Sequence, residues 1–462
     1  MSSQEAPHFH TAGVGAGPAN LSLAALFEVA RPDRIALFEA KPEHSWHGSL
    51  LFPGVRMQTA WIKDLVSLVA PEHRLSFLSY LVTTKHIFPF LSAQYDEIPR
   101  LEFARYLDWA ARQLPDIHYA TPVEEITFDS SFALHSNGAV IARSQHLVIG
   151  VGTRPELPPG LAGLDDGRVA LADDLAARLA ELDLPHTEPV AVIGCGQTGA
   201  ECVVELRRRG FTDIRWLGSR SWFAPFDDSP SANEMYRPAY PEFLDGLPME
   251  RRRDLAREHV LSSDGISSAT LRAIFQDNYE ELLRTGRPAV TMLPGRRVTA
   301  GEPHGPGVVL SCTGAHGPQH SSGRTDALRN SPGRTDASRN SPDRTDTLPN
   351  SPGRTDTLRQ PPVRFAVVAA GRRPAPLPFG TKLREMIDTD DAGDPMVETD
   401  YSLRWKHGDS NKIFVQNRSR YAHGLQDSNL SLLSVRSAVI INSLFDRPVY
   451  DITDECLSTA WS

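Results

Sequence analysis

Cysteine is scarce in this chain: four residues in 462, at Cys195, Cys202, Cys312 and Cys456. They are too few and too scattered for a disulfide framework, and no two stand in the C-x-x-C spacing of a redox pair or a zinc site. Long apolar runs are missing as well. Nothing approaches the roughly 18 uninterrupted apolar residues of a membrane-spanning helix, and Met1-Ser2-Ser3-Gln4-Glu5 lacks the basic and then apolar stretches of a secretory leader. A cytoplasmic protein is expected. Positive charge is in deficit: 48 Lys and Arg against 57 Asp and Glu leave a formal net charge of −9. That balance gives no general attraction to nucleic acid or to an anionic membrane. His47 and His423 have no paired ligands at metal-binding spacing, so no metal site is expected. What remains is small-molecule chemistry, in a chain long enough for two packed units.

What is present is a pattern built twice. His8-Phe9-His10-Thr11-Ala12 leads into Gly13-Val14-Gly15-Ala16-Gly17-Pro18-Ala19-Asn20 and then Leu21-Ser22-Leu23-Ala24-Ala25-Leu26, a succession of strand, tight turn and apolar helix. Ile35-Ala36-Leu37-Phe38 predicts a second strand ending in the acid Glu39. Apolar residues recur at helical spacing between Leu101 and Leu114, with Leu101, Phe103, Ala104, Leu107 and Ala111 as the expected buried side. The pattern restarts at Pro189-Val190-Ala191-Val192-Ile193, followed by Gly194-Cys195-Gly196-Gln197-Thr198-Gly199, a helix, and the strand Ile214-Arg215-Trp216-Leu217. Alternating strands and helices built twice imply an α/β protein with two doubly wound, Rossmann-like dinucleotide-binding domains.

The expected boundaries follow. Residues 1–165 form the first part of one domain, and 166–300 form the second domain, with a small helical segment at about 229–290. A low-complexity insertion covers 313–362, where a ten-residue unit starting at Gly323 recurs from Gly333, Asp343 and Gly353 without an apolar face. Residues 363–462 return to the first domain, with Phe365-Ala366-Val367-Val368-Ala369 expected to re-enter its sheet.

The glycines at 15 and 17 let the backbone turn tightly and approach a pyrophosphate, and the following helix offers its N–H groups to the negative charge. Asn20 stands where a third glycine is common. Glu39, 22 residues after Gly17, is placed to accept hydrogen bonds from a ribose 2′-hydroxyl. The second strand of the second unit runs instead into Gly218-Ser219-Arg220, where a hydroxyl and a cation favour the 2′-phosphate of NADP over NAD. Two dinucleotide sites in one chain point to a flavin and a nicotinamide with hydride transfer between them. With no redox cysteine pair, oxygen is a better acceptor than a disulfide.

Ser45-Trp46-His47-Gly48 and Met57-Gln58-Thr59-Ala60-Trp61-Ile62-Lys63-Asp64-Leu65-Val66 resemble the signature of the microbial N-hydroxylating flavin monooxygenases of siderophore biosynthesis, the lysine and ornithine N-monooxygenases. The resemblance continues through Ser76 to Leu81, Asp227 to Glu234, Ser263-Asp264-Gly265-Ile266 and His423-Gly424-Leu425-Gln426-Asp427-Ser428-Asn429-Leu430-Ser431. It implies that NADPH reduces FAD, that O2 forms a flavin C4a-hydroperoxide, and that the neutral terminal amine of the substrate attacks it to give a hydroxylamine. FAD would be held by Gly13, Gly15, Gly17, Pro18, Asn20, Glu39, Lys41, Trp46, His47, Gln58, Ser428, Asn429 and Leu430. NADP would be held by Gly194, Gly196, Gln197, Thr198, Gly199 and Ser263, with Ser219 or Arg220 at its 2′-phosphate. Lys63, Asn233 and Ser431 match positions that hold the amino-acid end of the substrate. The flavin carries the chemistry, so no side chain is assigned as catalytic, with Gln58 the one candidate. The Ser263 to Ile266 segment resembles the lysine and diamine branch, whereas Asn233 is the residue that ornithine enzymes use and Lys63 does not exclude decarboxylated diamines; L-lysine is the expected substrate, with putrescine, cadaverine or L-ornithine as alternatives. The resemblance also implies a homo-oligomer, often a tetramer. Two readings of other classes remain: a reductase that passes electrons to a protein partner, and a flavoprotein without catalysis.

Overall fold

The computed structural model describes residues 6–30, 35–164, 167–314, 357–427, 429–454 and 459–461. Cys456, Ser428 and nearly all of the ten-residue repeats lie outside them.

The first sheet grows from His8–Val14, an apolar strand that pairs in parallel with Ile35–Phe38 on one side and Ala139–Ile149 on the other. Val14 stands level with both Phe38 and Ile149, so three strands end together where the first glycine loop begins. Ile117–His118 extends the sheet in parallel beyond Ile35–Phe38, while Phe132–Ser136 and Glu125–Phe128 fold back antiparallel beyond Ala139–Ile149. One face is covered by the helix Pro18–Ala30, which packs on the C-terminal helix Leu433–Leu444. Proline at the first helical position costs no hydrogen bond there.

The second sheet is wholly parallel, in the order Val169–Leu171, Phe365–Val368, Val190–Ile193, Ile214–Leu217, Val290–Leu293. Three of these strands, Val169–Leu171, Phe365–Val368 and Val190–Ile193, are wholly apolar, as expected of strands covered on both faces. Phe365–Val368 therefore does not re-enter the first sheet; Val190 pairs with Phe365 and Ile193 with Val368. A four-residue apolar strand suits either sheet. Gly194 admits it here, because a Cβ at that position would lie 2.1 Å from the Ala369 carbonyl oxygen. The chain rejoins the first sheet later, where Ile413–Val415 pairs with Ala139–Ile149. Gly307–Gly314 belongs to neither of these two sheets. It forms an antiparallel ribbon with Arg296–His304 and Thr357–Arg359, so paired structure reaches inside the expected limits of the repeat insertion.

The two crossings between the sheets run side by side: Thr153–Pro155 pairs antiparallel with Arg372–Pro374. Between residues 229 and 290 lie the helices Pro230–Glu234, Tyr240–Asp245, Met249–Glu258, Leu261–Asp264 and Ser268–Thr285. In the helix Arg100–Ala111, Phe103, Leu107 and Ala111 are buried, joined by Tyr106 and Ala110, but Leu101 is 46% exposed. It sits in the first turn, before the helix reaches the core. No helix of the described residues is long and apolar enough to cross a membrane, and Cys195, Cys202 and Cys312 are free, buried thiols.

Candidate active site

A cleft of about 2170 Å³ opens at the strand ends of both sheets, well above the ~300–1,000 Å³ of a pocket for one small molecule. Gly15, Gly17, Pro18, Glu39, Lys41, Trp46 and His47 line one part of it, and Gly194, Gly196, Gln197, Thr198, Ser219, Arg220 and Ser263 line another. The two glycine loops, almost 180 residues apart in sequence, thus face one space.

The first loop is braced from behind. Gly15 has φ +90°, and a Cβ there would lie 2.5 Å from the Gly150 carbonyl oxygen, so only glycine fits. Ala16 N–H donates to Glu39 Oε2 at 2.8 Å and Lys41 N–H to Oε1 at 3.0 Å, which fixes the carboxylate at the cleft wall. Lys41 Nζ donates to Ser45 O at 2.6 Å, closing the turn that carries Trp46. The Trp46 ring meets Phe103 edge-on at 5.4 Å and His47 at 4.4 Å. Burial, aided by the charges of Arg100 and Arg372, pushes the His47 pKa down to about 4. Its imidazole is neutral at physiological pH. Asn20 does not line the cleft. It is 1% exposed, with Nδ2 donating to Gly15 O at 2.7 Å and Val14 O at 3.1 Å, and Oδ1 accepting from Gln416 Nε2 at 2.6 Å. It holds the loop's shape from the protein side. Gly13 lies in the strand behind.

In the second loop Gly199 packs on Gly194, where a Cβ would come 2.4 Å from the Gly194 oxygen, and Trp216 Nε1 donates to that same oxygen at 2.7 Å. Gly199 therefore serves helix-to-strand packing and does not itself line the cleft. Gln197 opens the helix Gln197–Arg208; its Oε1 accepts from Ser267 N–H at 2.8 Å and its Nε2 donates to Glu201 at 2.9 Å. Arg220 Nη1 donates to the Asp264 carbonyl at 3.1 Å, and Ser263 Oγ to Val260 O at 3.2 Å. Arg296 and Arg297 also line the cleft. Gly295 and Arg296 bond through their backbone N–H groups to Arg220 and Gly218, which gathers three cations at the end of the second strand. Sequence reasoning missed the latter two. A basic pair just past a parallel strand was the available signal.

Gln58, Lys63, Asn233, Asn429 and Ser431 do not line this cleft, although Leu430 does. They lie on segments packed at its edge. The strand Arg56–Ala60 runs beside the turn Leu430–Leu432, and Gln58 Nε2 reaches Gly265 O at 3.4 Å. Ala232, from the helix that carries Asn233, shares an apolar cluster with Leu432. Asn429 Oδ1 caps the turn by accepting from Ser431 N–H at 2.7 Å. Ser431 is 1% exposed, and its Oγ has no hydrogen-bond partner among the described residues. Lys63 is half-buried, which lowers its pKa, and its ammonium has no ion-pair partner among the described residues. Asn233 is exposed, its Nδ2 bonded to Asp228 O at 3.2 Å. Ser428 cannot be placed, being outside the described residues.

Residues 7–333 match the family described as L-lysine 6-monooxygenase/L-ornithine 5-monooxygenase. The chain belongs to this family. It is 32% identical to an L-lysine N6-monooxygenase of Escherichia coli over 450 residues, covering 96% of this chain and 95% of that protein. Among solved structures, the FAD-bound cadaverine monooxygenase of the desferrioxamine pathway from Erwinia amylovora superposes with a TM-score of 0.82 at 21% identity, covering 98% of this chain and 97% of that one. The ornithine N-hydroxylase of Kutzneria sp. 744, with reduced FAD, NADP+ and L-ornithine, superposes at 0.80 and 23% identity, over 95% and 99%. Both structures share the two-sheet fold of this monooxygenase-family chain.

Proposed function

We propose that the protein is an FAD- and NADPH-dependent monooxygenase that hydroxylates the terminal amine of L-lysine with O2, as a step of siderophore biosynthesis. The observation that carries this is the convergence of both glycine loops on one cleft, with the Lys63, Asn233 and Ser431 segments at its edge. The residues present fit both cofactors. The first loop pairs a glycine that admits no side chain with a fixed carboxylate, Glu39, suited to ribose hydroxyls. The second pairs the N-terminus of the helix Gln197–Arg208 with Ser219 and Arg220, suited to phosphate. FAD, reduced by NADPH, supplies the oxygen activation that no side chain provides.

The protein's own contribution is binding and dehydration. Lys63, carrying an unpaired and partly desolvated ammonium, is suited to the substrate carboxylate. The buried Ser431 hydroxyl has no hydrogen-bond partner among the described residues, so a substrate could engage it only if the turn Leu430–Leu432 opened. A free lysine amine has a pKa of about 10.4, so the site must favour the neutral, nucleophilic form, which burial does. Lysine as substrate is supported by the 32% identical relative, which aligns along almost the whole chain. Purified protein should therefore convert L-lysine to its terminal hydroxylamine with consumption of NADPH and O2. NADPH loss without hydroxylamine from L-lysine, L-ornithine, putrescine or cadaverine would instead support the reductase alternative. A preference for cadaverine or putrescine over L-lysine would move the substrate to the diamines.

A further inference from the structure

Arg100 and Glu201 come from opposite halves of the molecule and meet in a two-pronged ion pair, with Nη1 to Oε2 and Nη2 to Oε1 both at 2.7 Å. Their side chains are 14% and 3% exposed, and neither lines the cleft. Each is anchored to one cofactor wall. Arg100 begins the helix whose Phe103 packs against Trp46; its backbone N–H donates to Val55 O and its guanidinium to Leu50 O. It is close enough to His47 for its charge to help hold that imidazole neutral. Glu201 lies one turn into the helix that opens with Gln197, and its Oε1 also accepts from Gln197 Nε2 at 2.9 Å. Gln197 in turn accepts from Ser267 N–H at the start of the long helix Ser268–Thr285. One continuous set of bonds thus runs from the Trp46–His47 wall through Arg100, Glu201 and Gln197 to the helical segment.

We propose that the Arg100–Glu201 pair is a positioning device that sets the second glycine loop at a fixed distance and angle from the Trp46–His47 wall, a role that rests on the cofactors assigned above. A buried ion pair adds little net stability over an apolar contact of the same shape, yet a buried carboxylate left without its partner is costly. The pair therefore penalises every arrangement in which the two halves slip. Its parallel prongs fix an angle as well as a distance. Hydride transfer, in which a C–H bond of NADPH breaks and one proton with both bonding electrons passes to the flavin to leave NADP+, would need the reacting atoms in near contact. A misplacement of about 1 Å can cost on the order of a hundredfold in rate.

The test uses the full-length, FAD-loaded protein and the variants Glu201→Gln, Arg100→Met and Arg100→Lys. With oxygen excluded and NADPH saturating, flavin reduction in Glu201→Gln and Arg100→Met is expected to slow by roughly 10- to 100-fold. NADP+ affinity measured by calorimetry should stay close to that of the parent. The long-wavelength charge-transfer absorbance of reduced protein with NADP+, a signature of stacked rings, should weaken in step. Arg100→Lys keeps the charge but loses the fork and should recover part of the rate; if the other two fail to fold, it alone decides, by being slower than the parent. Folded variants with the parent's reduction rate and absorbance band, whatever their melting temperatures, would overturn the positioning role. A parent protein that NADPH does not reduce would overturn the cofactor assignment instead.

Discussion

Asn20→Gly installs the residue most common at the third position of the glycine fingerprint, and the structure predicts that it damages this protein. Asn20 spends its side chain on three bonds, and they are not equal. Val14 O keeps a second donor, Gly150 N–H at 2.9 Å, and Gly15 O is only part-buried, so water can replace the amide there. The loss concentrates on Gln416, which is 3% exposed and donates its Nε2 to Asn20 Oδ1. A buried donor left unsatisfied costs about 1–3 kcal/mol, and glycine in place of asparagine within a helix adds a few tenths. The Asn20 side chain also fills the space against Gly150, where a Cβ would come 2.7 Å from its Nδ2, so a void is left. A total of about 2–4 kcal/mol corresponds to a fall of roughly 4–15 °C in melting temperature for a unit of 150–250 residues. Scanning fluorimetry of protein with and without FAD, together with the FAD retained after desalting, measures it. A glycine variant that melts within about 1 °C of the parent and retains as much FAD would refute the bracing role and return Asn20 to being a tolerated substitute for glycine.

Three further outcomes follow from the same geometry. Lys63→Met should raise KM for L-lysine by about 10- to 100-fold, the worth of a charged hydrogen bond of ~1.5–3 kcal/mol, and leave turnover of cadaverine, which has no carboxylate, nearly unchanged; steady-state hydroxylamine formation with both amines checks this. Arg220→Ala should weaken NADPH by about tenfold, the loss of one charge-assisted contact to phosphate, and leave NADH where it was, as read from KM for each. Stability should fall in acid: His47, His146 and His423 are each pushed down to about 4, chiefly by burial. Between that value and the ordinary 6.5 the unfolded chain binds protons that the native state refuses. Stability is then full above pH ~6.5 and declines toward pH 4 by about 1.4 kcal/mol per pH unit for each histidine that stays neutral, measurable by urea unfolding across that range.

Local features of the site were legible in the sequence because each is encoded within a few residues. Gly15, Gly17 and Glu39 announce a strand, turn and acid, and Gly194 to Gly199 followed by Arg220 announce a second copy with a different charge; all of these but Gly199 line the cleft. Long-range choices were not legible. Nothing within Phe365–Val368 says which of the two sheets it joins, because apolar strands covered on both faces read alike; it pairs with Val190–Ile193, where Gly194 leaves room for the close approach of Ala369. Asn20 looked like a substitute for glycine, and its bracing role depends on Gln416, 396 residues away. The Arg100–Glu201 pair joins positions 101 residues apart and carries no spacing signal at all. Lys63, Asn233 and Ser431 were read from resemblance; the structure brings their segments together at the edge of the cleft without placing the side chains in its wall.

The most direct measurement is the fate of isotopically labelled oxygen. Purified protein loaded with FAD, given NADPH and L-lysine under 18O2, should yield the terminal hydroxylamine of lysine carrying one 18O atom per molecule, detected by mass spectrometry. NADPH oxidised with labelled peroxide as the sole oxygen product, with lysine, ornithine, putrescine and cadaverine each recovered unchanged, would contradict it.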